Sequence, residues 1–172
     1  MSKLQIVNVP DPLLKTLSDP VGQVDDDLRR LMDDMLETMY DAPGIGLAAI
    51  QVAVPKRVIV LDTEGDEEDR QPIFLVNPEI TWESPEFNVY NEGCLSVPEH
   101  YAEVERPAAV KVKYLDYDGK EQHELMEGLM ATCVQHEIDH LNGVVFIDYL
   151  SRLKRNMIIK KVQKATKDTK VL

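Results

Sequence analysis

The chain alternates between two rhythms of hydrophobic and polar residues. In DDDLRRLMDDMLETMYDA, Leu28, Leu31, Met32, Met35, Leu36 and Met39 recur every three or four positions, the spacing of one face of an α-helix. Asp25 or Asp26 stands where a side chain caps the first free backbone N–H groups. Six apolar residues on one face form core, not a functional methionine stripe. Pro43, Gly44 and Gly46 then break the pattern and predict a tight loop at APGIGLAAIQ.

Shorter apolar runs follow. KRVIVLD and PIFLVNP read as buried strands, separated by the acidic, turn-rich TEGDEEDRQ, a solvated loop. EITWESPEFNVY, AEVERP and AAVKVKYLDYDG continue the strand-like pattern, the last turning at Asp118-Gly119 into KEQHELM. The helical period returns from Glu127 to Leu141, with Gly143 just past its end, and again from Leu150 to Ala165. One helix, many strands, then helices predict an α+β fold. At 172 residues, residues 1–172 suit one domain with a sizeable core.

Composition narrows the class. Hydrophobic residues at 44% and charged residues at 29% are ordinary for a globular protein. The opening stretch MSKLQIVNVPDPLL is interrupted by Asn8, Asp11 and two prolines, and no run approaches the ~20 apolar residues of a membrane span. A cytoplasmic location is therefore expected. Cys94 and Cys133 do not resemble the disulfide framework of a small secreted fold. Charge is uneven: of a net −12, the segment Ser151–Leu172 holds eight basic residues and one acid (+7), and the remainder carries −19. The acidic body argues against a DNA-coating role, whereas the basic tail suits local contact with a polyanion.

The chemistry concentrates in QHEIDHLNG, Gln135 to Gly143. On a helix, His136 and His140 lie four apart on one face and can address one divalent ion, with Glu137 beside them to take a proton from water. Two imidazoles need a third ligand. No glutamate follows Glu137 and no histidine follows His140, and the last place of an extended HExxHxxGxxH pattern is Phe146. Upstream, EGCLS supplies Cys94, whose thiolate completes a Cys–His–His set with one position open. By itself Cys94 reads more readily as a small buried hydrophobe than as a ligand, and the absence of any downstream rival beside HExxH reverses that. Cys133, one turn before His136, reads as an apolar wall residue, and His100 and His123 read as surface or structural.

GIGLAAIQ (Gly44 to Gln51), EGCLS (Glu92 to Ser96) and QHEIDHLNG, in that order, resemble the three signature motifs of the peptide deformylases. SVPEHYAEVERP and FIDYLSRLKR extend the likeness over most of the chain. The resemblance implies antiparallel or mixed sheets packed around a central metal-binding helix carrying HExxH, with an N-terminal helix and a basic C-terminal helix over 151–172. It implies removal of the formyl group from the formyl-methionine of new polypeptides, with release of formate. It assigns the metal to Cys94, His136 and His140, acid–base work to Glu137, and oxyanion stabilisation to the Gln51 amide and the Leu95 backbone N–H. Substrate contacts fall on Gly44, Ile45, Gly46, Glu92, Gly93, Leu129 and Cys133. Of these, Ile45, Leu129 and Cys133 match the family's pocket for an unbranched apolar side chain, and Glu92 pairs with Arg106 to hold the cysteine segment. Fe(II) is the natural metal of such enzymes, with Zn, Ni or Co tolerated. Many relatives carry Arg where this chain has Tyr101, which alters the charge at the cleft entrance. The basic C-terminal helix resembles the ribosome-docking element of some members.

Two rivals make different demands. A zinc endopeptidase shares HExxH but needs a groove for internal peptides. A structural metal site in a ribosome-associated binding protein closes all four positions with Cys or His, and it leaves Glu137 without a purpose.

Overall fold

A computed structural model describes the backbone of residues 2–171 and the side chains of residues 2–166. It contains three α-helices, α1 (Asp26–Asp41), α2 (Gly128–Leu141) and α3 (Arg152–Val171), among seven strands. These are β1 (Gly46–Ala48), β2 (Val58–Leu61), β3 (Ile73–Glu83), β4 (Phe87–Cys94), β5 (Val97–Pro107), β6 (Ala109–Leu115) and β7 (Glu121–Glu127). The strands form a five-stranded sheet, ordered β1-β2-β3-β6-β7, and a separate β4-β5 ribbon. Every pairing is antiparallel, so the sheets are not mixed.

The α1 pattern folds as its sequence predicts. Asp25 is the cap: its carboxylate accepts from the Leu28 N–H at 2.9 Å. Leu28, Met32, Met35 and Met39 are buried against β1 and β2, and Leu31 and Leu36 pack at the margin of that cluster. A second core lies between the large sheet and α2, where Ile59, Leu61, Leu75 and Val112 meet Ala131, Val134 and Leu141. A third joins the ribbon to the carboxyl-terminal part through Val97, Val104, Phe146, Ile147 and Val162.

Three helix boundaries differ from the periodicity, one of them the end of α3, which runs to Val171 rather than Ala165. Glu127 belongs to β7, where it pairs with Ala109, and the helix begins only at Gly128. Gly128 adopts φ +60°, a left-handed conformation that lets the strand pass straight into the helix. At the other end, Leu150 follows a 3₁₀ turn over Phe146–Tyr149, so α3 starts at Arg152. The acidic stretch after β2 is a loop with one short 3₁₀ turn, Glu67–Asp69. Among the described residues, no helix is long and apolar enough to cross a membrane.

Candidate metal centre

Helix α2 is buried along most of its length, His136, Glu137 and His140 included. This explains why its sequence is apolar around the histidines: it runs through the interior, against β1 and β2 on one side and the ribbon on the other. Cys94 arrives from the end of β4, where a register shift between Gly93 and Cys94 closes the ribbon toward Val97. His140 Nε2 lies 3.3 Å from Cys94 Sγ and 3.2 Å from His136 Nε2, and one ligand atom from each of the three residues falls within 4.8 Å of the others. Donors held about 2.0–2.3 Å from one tetrahedral ion stand roughly 3.3–3.7 Å apart, so the two His140 separations lie close to the spacing a transition metal needs. Among the described residues it is the one such cluster of His, Cys, Asp or Glu.

The surroundings prepare the two imidazoles differently. His136 Nδ1 donates to Glu92 Oε1 at 2.9 Å, which fixes the ring and leaves Nε2 facing His140. Glu92 is itself gripped by Arg106, whose Nε and Nη2 donate to its two oxygens at 2.7 and 3.0 Å. Burial alone would raise the Glu92 carboxyl, but the hydrogen bonds from His136 and Arg106 and the Arg106 charge bring it below its ordinary value. Burial, reinforced by the charge on His136, drives His140 well below the usual histidine range, whereas His136, which burial alone would lower, is held well above it by the Glu137 charge and by its hydrogen bonds with Cys94 and Glu92.

Glu137 sits apart from the ligand set. Burial pushes its carboxyl up to about 7, against the pull of His136. Its Oε1 is sealed from solvent and makes no hydrogen bond to any described residue. A buried carboxylate oxygen without a partner beside three converging donors is an unspent acceptor at the centre of the site. Gly46 is what permits the approach: a Cβ there would stand 2.5 Å from Glu137 Oε2 and 2.9 Å from Cys133 Sγ.

These groups line a cleft of about 760 Å³ bordered by Gly44, Ile45, Gly46, Gln51, Glu92, Gly93, Cys94, Leu95, Leu129, Cys133, His136 and Glu137. Of the metal, acid–base, oxyanion and substrate positions read from the sequence, all border it except His140, which is fully buried. Gln51 is locked in place: its Oε1 accepts from the Ala48 N–H at 2.9 Å, and its Nε2 donates to Ser96 Oγ at 3.0 Å and points at Cys94 Sγ, 3.5 Å away. Glu92 borders the cleft with both carboxylate oxygens already bonded, to Arg106 and to His136. His100, read from sequence as a surface or structural residue, also lines the cleft. His123 is exposed and lies 3.0 Å from Glu121. Tyr101 lies over Gly93, where a Cβ would come within 2.5 Å of its ring. Sequence reasoning passed over Asp139, which receives Arg106 Nη1 at 2.8 Å, and Tyr149, whose hydroxyl donates to Asp139 at 2.7 Å. Asp139 sits inside the histidine motif, so its signal was present but lacked a partner.

Fold and site together define a class: an α+β protein in which an HExxH helix and a strand-borne cysteine present three metal donors and a carboxylate to one cleft. A model of the family described as polypeptide deformylase matches residues 3–156. Peptide deformylase of Phenylobacterium zucineum (strain HLK1) is 62% identical over 167 residues, covering 97% of this chain and 99% of that protein. That of Rhizobium meliloti (strain 1021) is 60% identical over 162 residues, covering 94% and 93%. The crystal structure of peptide deformylase from Ehrlichia chaffeensis superposes with a TM-score of 0.94 at 44% identity, covering 99% of this chain and 100% of that one. A second, of the Ehrlichia enzyme in complex with actinonin, gives 0.91 at 47% identity, covering 96% and 98%. The chain belongs to the polypeptide deformylase family.

Proposed function

We propose that the protein is a peptide deformylase, hydrolysing the N-terminal formamide of formyl-methionine on newly made polypeptides in the cytoplasm and releasing formate. One observation carries the reading: Cys94, His136 and His140 converge within 4.8 Å beside a buried Glu137 whose Oε1 has no protein partner. A structural metal site has no use for that carboxylate. The cleft is bordered by the Gly44–Gly46 and Glu92–Leu95 segments, and exposed apolar Ile45 and Leu129 with buried Cys133 form a wall suited to a methionine side chain.

Cys94, His136 and His140 would hold a divalent ion, which we take to be Fe(II) with Zn, Ni or Co as substitutes, and it would supply Lewis acidity to a water and to the formyl carbonyl. Glu137 takes the proton of the attacking water at its carboxylate. As the water oxygen bonds to the formyl carbon, negative charge grows on the carbonyl oxygen, and the Gln51 Nε2 and the Leu95 backbone N–H donate to it. The locked Gln51 amide reaches this point already oriented, without reorganisation at the moment of reaction. Glu137 then returns the proton to the leaving nitrogen as the C–N bond breaks, and the acid formed gives up its remaining proton to the amine, so that formate and the protonated amine depart. Gly44, Ile45, Gly46 and Gly93 offer backbone to an extended peptide, in the manner of an added strand.

Protein prepared without oxygen and loaded with Fe(II) or Ni(II) is expected to release formate from formyl-Met-Ala-Ser and to leave casein and unblocked peptides intact. Folded, metal-loaded protein that releases none overturns the reading, and cleavage of casein substitutes the endopeptidase.

Residues 1–172 act in this reading as one catalytic domain, with 151–172 as its basic helix. Phosphate contacts on a ribosome fall in this reading to Lys154, Arg155, Lys160, Lys161 and Lys164; the four lysines are exposed along α3, and Arg155 is half-buried 4.0 Å from Asp148. Val162 on the same helix is buried in the third core, so truncation would damage the fold. Changing the four lysines to glutamine instead is expected to abolish co-sedimentation with ribosomes while formate release stays intact. Unchanged co-sedimentation removes the docking role.

A further inference from the structure

The surface end of the site's supporting structure is a tyrosine that neither the motifs nor the chemistry above uses. Tyr149 Oη donates to Asp139 Oδ2 at 2.7 Å, and the same oxygen accepts from Arg106 Nη1 at 2.8 Å. Arg106 holds both oxygens of Glu92, and Glu92 Oε1 accepts from His136 Nδ1. Exposure rises steadily outward: the Glu92 and Arg106 side chains are 5% and 6% accessible, Asp139 22%, and Tyr149 53%. We infer that Tyr149 is a positioning residue for His136, acting through the unbroken chain Tyr149–Asp139–Arg106–Glu92–His136. The inference rests on the reading of His136 as a metal ligand.

Two independent contacts support it. The Tyr149 ring lies 5.1 Å from the Arg106 guanidinium, so it shields the charged cluster from water as well as bonding to it. The 3₁₀ turn that ends at Tyr149 begins at Phe146, whose ring stacks on His136 at 6.1 Å with an interplanar angle of 26°. One short turn therefore touches the His136 ring directly at its first residue and through four linked side chains at its last. Asp139 explains why the hydroxyl matters. Being partly exposed, Asp139 has water as an alternative partner, and once it turns outward Arg106 Nη1 loses its acceptor. The guanidinium then shifts against Glu92, and the imidazole follows the carboxylate to which it donates.

Tyr149→Phe keeps the ring and removes the hydroxyl, whereas Tyr149→Ala removes both. The probes are Zn(II) affinity, by competition with a chelator, and the visible spectrum of the Co(II)-loaded protein, read beside the thermal midpoint of metal-free protein. Tyr149→Phe is expected to bind Zn(II) about tenfold more weakly, to change the Co(II) bands, and to leave the metal-free midpoint and the KM for formyl-Met-Ala-Ser in place. Tyr149→Ala is expected to lose more, because water then reaches Arg106. Wild-type affinity and spectrum in Tyr149→Phe overturn the inference, as does a weakening matched by lost stability of the metal-free protein. Wild type that takes up no Co(II), or Cys94→Ser that takes it up unchanged, overturns the ligand reading beneath it, a distinguishable failure.

Discussion

Glu137→Gln lowers kcat for formate release by roughly 10²–10⁴-fold, the contribution of one positioned acid–base group. Glutamine fills the same volume and leaves Cys94, His136 and His140 in place, so bound metal stays at one equivalent. What disappears is a buried carboxylate whose Oε1 lacks a protein partner among the described residues. Stability moves in the opposite direction. Burial raises the Glu137 carboxyl to about 7 in the folded protein, above its ~4.3 in an unfolded chain. A raised pKa means that the folded state holds its proton more tightly. The associated stability is fully present below ~4.3 and is lost as pH rises through about 7. Metal-free Glu137→Gln, which has no proton to lose, is therefore expected to match or exceed metal-free wild type in thermal midpoint at pH 7.5. A large loss of midpoint, or full activity, would remove Glu137 from its role.

Arg106→Ala has the largest expected effect on stability. It leaves the Glu92 carboxylate, 5% accessible, without its two guanidinium hydrogen bonds. Removing one partner of a buried ion pair typically costs about 3–5 kcal/mol, most of it the penalty of the stranded charge. The pH dependence gives the test its sign. In wild type the folded Glu92 carboxyl lies below its ordinary value, so its stabilising contribution is present above ~4.3 and fades as pH falls through the lowered folded value. In the variant burial acts unopposed by Arg106 and the carboxyl rises. The gap between wild type and variant in urea denaturation should accordingly be wide at pH 7 and narrow toward pH 4. Glu92→Gln added to Arg106→Ala should recover part of the loss at pH 7, since a neutral amide needs no counter-charge. A gap of constant size across that range would contradict the account.

How much of this was legible in the sequence depended on the distance over which each contact acts. The α1 and α2 faces follow from local period, and the i, i+4 histidines need nothing beyond helix geometry. Cys94 emerged because the downstream chain offered no ligand, and the Glu92–Arg106 pair from likeness to relatives. Other features depend on register and tertiary approach. Glu127 carries the helical pattern but is claimed by its ladder with Ala109. Leu150 extends the apolar period of α3 yet follows a separate 3₁₀ turn. His100 comes to the cleft because the β4-β5 ribbon places it there, a pairing that periodicity does not reveal. Tyr149 and Asp139 are ten residues apart, on two elements whose angle no local pattern specifies.

The β4-β5 ribbon is a sheet of only two strands, the kind of unit that is marginal by itself in water. It owes its place to the third core, to the Arg106 bonds with Asp139, and to Cys94 meeting the histidines of α2. An ion shared between Cys94 and His136 ties together points far apart along the chain. In polymer terms it is a removable cross-link, closing a long loop that the unfolded chain must otherwise close at its own entropic cost. A metal held there would anchor the ribbon as well as complete the site.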